Sequence, residues 1–330
     1  MTFWERALSD SMVADTNQLP RGLICPLVTP LKTGDAVDVS VLDRLIDHVG
    51  VGVDVLLLCD VFWGEGHELS PETRLEMCCA ALEIIQGRWP VFITITSHSV
   101  KATRDLLAHT EAFIERSDYP GSVFWVDYPI YYHSNRGLPQ LYESMARDTR
   151  IGLILGNHEG LVELRKRRIK HKNIRTNVLK RLSRIEKIQG LVFSGPLNRS
   201  INYHKAVRHR RGFRFFDGDE LAFLRQPSSD GVVAGGANLL PEAWRGITWS
   251  CLNRYDIQQQ YADHTSQILE TGMMLQEFYE LYSQNPAAVL KRMLHVAGVL
   301  PNDRTASATR ASTASQNREI EVICKKYDLV

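Results

Sequence analysis

Acidic, histidine and amide side chains recur just after the short apolar segments of this sequence. They are Asp60, Glu65, His67, His98, Asp127, His133, Asn157, His158, Glu159, Asp217 and Asp219. Carboxylates and imidazoles can perform general acid–base catalysis or hold a divalent metal. The ordinary alternative is that such residues cap helices or satisfy backbone groups in solvated loops. From this set we predict Glu65, His67 and His158 as the catalytic candidates. We predict no metal site and no cofactor, because neither HxH nor HExxH spacing occurs.

The densest group of these residues follows the apolar run Val53 to Cys59, whose composition predicts a parallel strand buried on both faces. Ser70 has the character of a helix N-cap, and Pro71 is favourable at the first helical position. The loop between the strand and this helix carries two large aromatic residues, Phe62 and Trp63. Ligands of α/β proteins bind at the carboxyl ends of the strands, so this loop is a predicted ligand site.

The same alternation of strand and helix continues along the chain. Strands are predicted at 22–28, 53–59, 91–97, 121–128, 151–157, 188–194, 213–217 and 231–237. Helical patterns separate most of them, as at 39–49, 71–87, 100–116 and 138–146. Eight such units predict a (β/α)8 TIM barrel.

After Pro241 the pattern becomes helical without strands, at about 242–252, 254–283, 286–298 and 317–327. The small polar residues of 304–316 predict a loose connector. We therefore divide the chain into a lead-in segment (1–21), the barrel (22–241) and a C-terminal helical region (242–330).

Composition narrows the class of protein. Hydrophobic residues make up 44% of the 330 residues and charged residues 23%, which is typical of a globular protein. The six cysteines form no CxxC pair, so we expect reduced cysteines and a cytoplasmic protein. We expect no membrane association, since no apolar run reaches membrane-spanning length.

Several short motifs resemble the dihydrodipicolinate synthase and N-acetylneuraminate lyase family. They are CPLVTP (25–30) with Asp38, GVD (52–54), Gly64-Glu65, LSPETR (69–74), Tyr131-Tyr132, IQG (188–190), Gly218-Asp219, DGV (230–232), Asn238 and Pro241. The resemblance extends over about 22–297. It implies a TIM barrel, usually a homotetramer, in which a lysine forms a Schiff base with pyruvate. By family the activity would be that of a lyase acting on a carbon–carbon or carbon–oxygen bond.

Two separate parts of the family's pyruvate site are absent. The resemblance places the Schiff-base lysine on the sixth strand, where this chain has Val192. An imine requires an amine nucleophile, and valine has none. The paired threonines that hold the pyruvate carboxylate in the family align with Phe62 and Trp63. Lys187 precedes the sixth strand and Lys205 lies well beyond it, so we expect neither to replace the missing amine.

Other family positions are retained. The resemblance implies a proton-relaying tyrosine after the fourth strand, where Tyr131 and Tyr132 lie, and Tyr132 is a ligand-site candidate. In a tetramer, one of these two tyrosines would reach the site of a neighbouring subunit. The alternative is that both tyrosines pack in the core and at interfaces. Asn157 follows the fifth strand in a pattern similar to the family's, Asp219 follows the seventh strand and Asn238 the eighth. These three residues complete the predicted ligand site together with Phe62, Trp63 and Val192.

Residues 160–190 carry eleven Lys or Arg against two Glu, a net charge of +9, while the whole chain has +1. Such a run binds anions or forms a solvated helix face. Arg175 is the candidate for contacting a ligand carboxylate. We expect no nucleic-acid partner, because the run contains no aromatic residue on which bases could stack.

Two hypotheses of different classes follow. In the first, the chain is a family member with a degenerate pyruvate site that is catalytically silent or binds a small anion, such as a keto acid or sugar acid. In the second, it is a divergent lyase or aldolase-type enzyme that uses carboxylates and histidines at the barrel mouth. In either case we expect a homo-oligomer, a dimer or a tetramer.

Overall fold

Eight parallel strands close into a barrel in the computed structural model of the chain, which describes residues 18–164, 171–227, 229–252 and 262–329. The strands are β1 (Gly22–Pro26), β2 (Val55–Leu58), β3 (Val91–Thr94), β4 (Val123–Asp127), β5 (Gly152–His158), β6 (Ile188–Ser194), β7 (Arg214–Asp217) and β8 (Gly231–Val233). Their order around the barrel is their order in the sequence, and β8 closes on β1 with Gly22 opposite Gly231. The predicted (β/α)8 TIM barrel is therefore confirmed.

Helices lie between successive strands and continue after the last one. They are α1 (Val39–Gly50), α2 (Pro71–Ile85), α3 (Val100–Arg116), α4 (Leu138–Asp148), α5 (Glu159–Glu163), α6 (Thr176–Leu182), α7 (Leu197–Val207), α8 (Glu220–Arg225), α9 (Pro241–Leu252), α10 (Ala262–Tyr282), α11 (Pro286–Val296) and α12 (Ala314–Lys326). Short 3₁₀ helices cover Pro129–Tyr131 and Gly235–Asn238. None of the helices within the described ranges is long and apolar enough to cross a membrane.

Most strands end earlier than their apolar runs predict. The predicted strand 53–59 is observed as β2, which stops before Cys59 because that residue has a left-handed backbone (φ 52°). The predicted strand 231–237 ends at Val233, and the chain then turns into the 3₁₀ helix at Gly235–Asn238. Apolar composition marks burial, whereas the pairing of strands ends where the backbone turns.

The start of α2 follows the predicted capping pattern. Ser70 Oγ accepts a hydrogen bond from the Thr73 amide at 3.1 Å, and Pro71 occupies the first helical position. This cap satisfies one of the otherwise unpaired amides of the first turn. The cap fixes the far end of the loop that carries Phe62 and Trp63.

Two apolar layers form the core. The inner layer fills the barrel with Ile24, Val55, Leu57, Phe92, Phe124, Val126, Ile154, Val192, Phe216 and Val233, together with residues at its two ends. The outer layer lies between the strands and the helices, and the C-terminal helices α9 to α12 pack against it. Leu19 belongs to the inner layer and covers Gly190, so it lies at the amino-terminal end of the strands.

The predicted loose connector, 304–316, is instead tied to the rest of the fold at several points, as where the Ser307 amide and hydroxyl donate to Asp35. Ala306 is buried, and its amide donates a hydrogen bond to Glu65. Helix α12 also begins at Ala314, three residues before its predicted start, because Thr313 and Gln316 form a capping box. Parts of three predicted segments lie outside the described residues: 1–17 of the lead-in segment, 165–170 of the basic run and 254–261 of the second C-terminal helical stretch.

Candidate functional site

A cavity of about 120 Å³ opens at the carboxyl-terminal end of the strands. Its lining residues are Phe62, Trp63, His158, Gly218, Asp219, Glu220, Tyr279, Ser283 and Pro286. They come from the loop after β2, the end of β5, the start of α8, and the end of α10 with the first residue of α11. The C-terminal helices therefore build one wall of the barrel mouth. Small-molecule sites are commonly about 300–1,000 Å³, so this cavity suits only a small ligand.

The two aromatic residues after β2 are held by Asp60. Its Oδ1 accepts hydrogen bonds from the amides of Phe62 (2.9 Å) and Trp63 (3.0 Å), and burial raises the pKa of this carboxyl. Trp63 packs edge-to-face on Tyr282 at 5.1 Å and covers Gly235, where a Cβ would lie 2.4 Å from the indole. The indole thus occupies a fixed position at the mouth.

His158 is the one predicted catalytic residue that lines the cavity. It is the last residue of β5 and caps α5, because its Nδ1 accepts the Leu161 amide at 3.2 Å. Its ring lies 4.7 Å from the Phe62 ring. Burial lowers the pKa of His158, against the opposing effect of the nearby carboxylates Asp219, Glu159 and Glu163. A neutral ring that accepts at Nδ1 carries its proton on Nε2 and can donate from there.

Glu220 was not predicted, and its buried carboxyl lines the cavity. One of its oxygens accepts from the Tyr282 hydroxyl and the other from the Gly235 amide at 2.7 Å. Burial raises its pKa to about 8, so the side chain is largely protonated near neutrality. Its neighbour Asp219 caps α8 through the Ala222 amide at 3.0 Å. The sequence shows an Asp-Glu pair directly after β7. It does not show that Glu220 bonds to Tyr282, because that residue lies 62 positions away.

A pH-dependent stability follows from the raised pKa of Glu220. The folded protein holds a proton between the ordinary glutamate pKa and about 8, whereas the unfolded chain has released it. We expect wild-type stability to fall as pH rises through this window, with a slope approaching 1.4 kcal/mol per pH unit for one proton, about the value of one pKa unit. Urea denaturation at several pH values should show this slope. Glu220→Gln should flatten it, and the exposed control Glu143→Gln should not. An equal slope in all three proteins would contradict the assignment.

Tyr279 also belongs to the polar wall of the cavity. Burial raises its pKa to about 12, and the nearby carboxylates of Asp219 and Glu220 add to this effect. No lysine or arginine is among the cavity-lining residues that the structure describes. A bound carboxylate would therefore receive hydrogen bonds from neutral groups of this wall and no opposite charge from it.

Below the cavity the barrel is apolar at the level of Val192. This residue is 1% exposed and lies opposite Gly156 on the neighbouring strand. The ring of Tyr128 covers Gly156 so closely that a Cβ there would lie 2.4 Å from it. The inner layer thus leaves no polar group of β6 facing the mouth at this position.

The candidate replacement lysines lie elsewhere. Lys187 is at the opposite end of the barrel, where its Nζ donates to the Arg150 carbonyl at 2.9 Å. Lys205 is exposed on α7. Among the described residues the only buried lysine is Lys291 of α11, which is ion-paired with Glu65.

Glu65 is therefore placed away from the cavity. Both it and Lys291 are 1% exposed, and the Glu65 carboxylate also accepts the Ala306 amide at 2.8 Å. Lys291 Nζ donates in addition to the Arg304 carbonyl at 2.8 Å. The pair joins the loop after β2 to the C-terminal segment, and Glu65 itself has a left-handed backbone (φ 56°).

His67, the third predicted catalytic residue, is also engaged within its own loop. Its Nδ1 pairs with the Val61 carbonyl, and its Nε2 lies 3.1 Å from the Glu68 carboxylate. The structure thus brings His158 to the cavity but does not bring Glu65 or His67 to its lining.

Tyr132 belongs to a hydrogen-bond network at the carboxyl end of β4. Its hydroxyl and that of Tyr142 donate to Asp127 Oδ2 at 2.6 and 2.7 Å, and Thr96 Oγ1 donates to Oδ1 at 2.8 Å. Burial raises the pKa of Asp127, although the three donors work against this. The network fixes the segment after β4.

The remaining predicted ligand residues hold backbone segments in place. Asn157 accepts from the Ile174 amide at 2.7 Å and donates to Asn173 at 2.7 Å. Asn238 bonds to the carbonyls of Pro26 and Gly235, both at 2.8 Å, and to the Val28 amide at 3.1 Å. Arg175 is exposed, precedes α6 and pairs with His171. None of these residues lines the described cavity, whereas Phe62, Trp63 and Asp219 do.

No group of three or more His, Cys, Asp or Glu side chains that could hold a metal is found within the described ranges.

Comparison with known proteins assigns the chain to a family. The model of the dihydrodipicolinate synthetase family matches residues 19–318. A 4-hydroxy-tetrahydrodipicolinate synthase of Shewanella frigidimarina is 25% identical over 288 residues, covering 85% of this chain and 89% of that protein. A probable 2-dehydro-3-deoxy-D-pentonate aldolase of Escherichia coli K12 is 26% identical over 235 residues, covering 68% and 72% respectively.

Solved structures agree in fold. A monomeric dihydrodipicolinate synthase variant superimposes with a TM-score of 0.77 at 19% identity, covering 96% of this chain and all of the other. YagE, a prophage protein of this family from E. coli K12 in complex with pyruvate, gives 0.78 at 16% identity, covering 94% and 99%. With the family model matching nearly the whole barrel and the C-terminal helices, the chain belongs to the dihydrodipicolinate synthetase family.

Proposed function

We propose that this chain is a family member that does not form a lysine imine with pyruvate and instead holds a small molecule at the barrel mouth. The observation that carries the proposal is Val192, which is buried in the apolar interior at the position that the family resemblance assigns to the lysine. An imine needs an amine beside the keto acid, and the described lysines are elsewhere.

The altered mouth supports the same proposal. Phe62 and Trp63 replace the threonine pair that the resemblance implies, and Asp60 and Tyr282 hold them in the cavity wall. Their rings occupy volume that a small keto acid would need. A keto acid or sugar acid remains the expected ligand class from the family, and the cytoplasmic location and homo-oligomeric state stay predictions.

The test is to incubate the full chain with pyruvate and borohydride and to measure its intact mass. Borohydride reduces an imine to a stable amine, so a lysine nucleophile would leave a permanent adduct. We expect no adduct, while a lysine-bearing family member trapped in parallel gains one. An adduct mapped to any lysine of this chain would refute the proposal and assign pyruvate-lyase chemistry.

A second candidate, a divergent lyase or aldolase-type enzyme, is favoured by the pairing of a protonated carboxyl with a neutral imidazole. Glu220, with a pKa raised to about 8, and His158, with a lowered pKa, line the same cavity. A carboxyl that keeps its proton near neutrality can serve as a general acid, and a neutral imidazole can donate a hydrogen bond to a developing oxyanion. If a screen of keto acids and sugar acids gives turnover, Glu220→Gln and His158→Asn should each lower kcat about 100-fold or more. Glu65→Gln should instead lower stability.

A further inference from the structure

A second and larger concavity lies at the opposite end of the barrel from the mouth. It has a volume of about 840 Å³ and is lined by the segments that lead into β4, β5, β6 and β7. Helices of a (β/α)8 barrel run back to this end, so the carboxyl ends of α6 and α7 are close by. We call it the basal groove and define it by Arg150, Lys187, Gln189, Arg210 and Arg211.

The basal groove is strongly cationic. Four of its lining residues are Lys or Arg, and Glu186 is the only acidic residue among the lining residues that are described. Exposed Lys180, Arg181, Arg184 and Arg208 surround these positions in the sequence at the ends of α6 and α7. The field at this end of the barrel therefore favours anions.

The cations form a row. Arg150 precedes β5, Lys187 precedes β6, and Arg210 and Arg211 precede β7, and these three strands are direct neighbours. Neighbouring strands lie about 4.8 Å apart, so the row spans about 10 Å. A single phosphate would meet only part of this row, whereas a chain of phosphates would distribute its charge along it.

The structure holds some members of the row in place and leaves others free to contact a ligand. Arg210 donates to the carbonyls of Ser183 (3.0 Å), Ile185 (3.1 Å) and Glu186 (2.6 Å), which fixes its guanidinium beside the groove. Lys187 uses one donor on the Arg150 carbonyl and retains two. The Arg150 side chain is 89% exposed, and its 3.6 Å contact with Glu115 is a weak surface pair.

Gln189 on the wall adds a second observation. Its side-chain oxygen is buried and has no hydrogen-bond partner among the described residues. Buried polar atoms are normally satisfied, by protein, water or ligand. A donor such as a water molecule would be needed to satisfy this one.

We propose that the basal groove binds a small oligophosphate, an anion carrying two or more adjacent phosphate groups. The groove volume lies within the usual range for small-molecule sites, about 300–1,000 Å³. Phe124 and Phe213 line it but are 3% and 9% exposed, so they present no stacking face for nucleic-acid bases. Recognition rests on the row of cations.

The test is calorimetric titration of the full chain with tripolyphosphate, with inorganic phosphate and a short oligothymidylate as comparison ligands. We expect tripolyphosphate to saturate at one per chain and to bind more tightly than either comparison ligand. The double variant Arg150→Gln/Arg211→Gln should weaken binding about tenfold or more, because each charge-assisted contact is among the strong ones.

The matched control is Lys101→Gln/Lys325→Gln, which removes the same formal charge from exposed positions on α3 and α12. It should change the affinity less than about twofold, because neither lysine lines the groove and exposed charges beyond a Debye length are largely screened. Equal weakening in both double variants would reduce the effect to net charge and overturn the proposal. Failure of wild type to saturate, or tighter binding of oligothymidylate, would also overturn it. If the Arg150/Arg211 variant unfolds by circular dichroism, Lys187→Gln takes its place, and Lys101→Gln alone becomes its matched control.

Discussion

Replacing Lys291 by methionine is expected to lower the free energy of unfolding by about 3–5 kcal/mol, the usual cost of leaving one buried charge unpaired. Glu65 would remain inside the protein with the Ala306 amide as its other partner. Burial lowers the pKa of Lys291 while Glu65 opposes this effect, so each charge depends on the other. Equilibrium denaturation with urea would measure the loss.

A double-mutant cycle isolates the pair. Glu65→Gln and Lys291→Met should each be costly, and the double variant should cost less than the sum, because it buries no unpaired charge. The exposed pair of Lys326 and Glu277, 2.7 Å apart, provides the control, and Lys326→Met should lower stability far less than Lys291→Met. If Lys291→Met cost no more than this control, the ion pair would not anchor the C-terminal segment to the loop after β2.

Restoring a lysine on the sixth strand is expected to destabilise the protein instead of reviving pyruvate chemistry. Val192→Lys would place an ammonium in an apolar layer where the native side chain is 1% exposed. Buried lysines can have pKa values lowered by several units, which corresponds to a cost of about 3–5 kcal/mol at neutral pH. Val192→Met has a long unbranched side chain without the charge and controls for overpacking.

The pH dependence tests the cause of this loss. A lysine with a lowered pKa in the folded state binds fewer protons there than in the unfolded chain, so stability rises with pH. The difference between Val192→Lys and Val192→Met should therefore shrink toward the ordinary lysine pKa of about 10.4. Urea denaturation at increasing pH measures this difference. A constant, small difference would mean that the interior provides water or a polar partner for an ammonium, and would weaken the proposal of a degenerate site.

Much of the fold could be predicted from local patterns. The run 188–194 predicted β6 to the residue, and 100–116 predicted α3 in the same way. Where the ends differ, as at Cys59 and after Val233, a left-handed residue or a 3₁₀ turn stops the strand while the apolar run continues. Burial and strand pairing are separate properties, and apolar composition reports only the first.

The site was less predictable, because its geometry depends on partners far away in the sequence. By residue type alone, each of the three predicted catalytic side chains could act as an acid or a base: Glu65, His67 and His158. Only the folded chain pairs Glu65 with Lys291, 226 residues away, and leaves His158 beside Phe62 in the cavity. Glu220 was missed for the same reason, since its raised pKa comes from burial in the folded chain, and its partners Tyr282 and Gly235 lie far away in the sequence.

The sequence by itself determined the barrel, the family motifs and the absence of an amine at Val192, because strand periodicity, caps and residue identity are local properties. The tertiary structure decided which polar side chains reach the mouth, which ones join segments together, and where the cations that precede β5, β6 and β7 form one row. Those outcomes depend on burial and on contacts between distant segments, which no local pattern encodes.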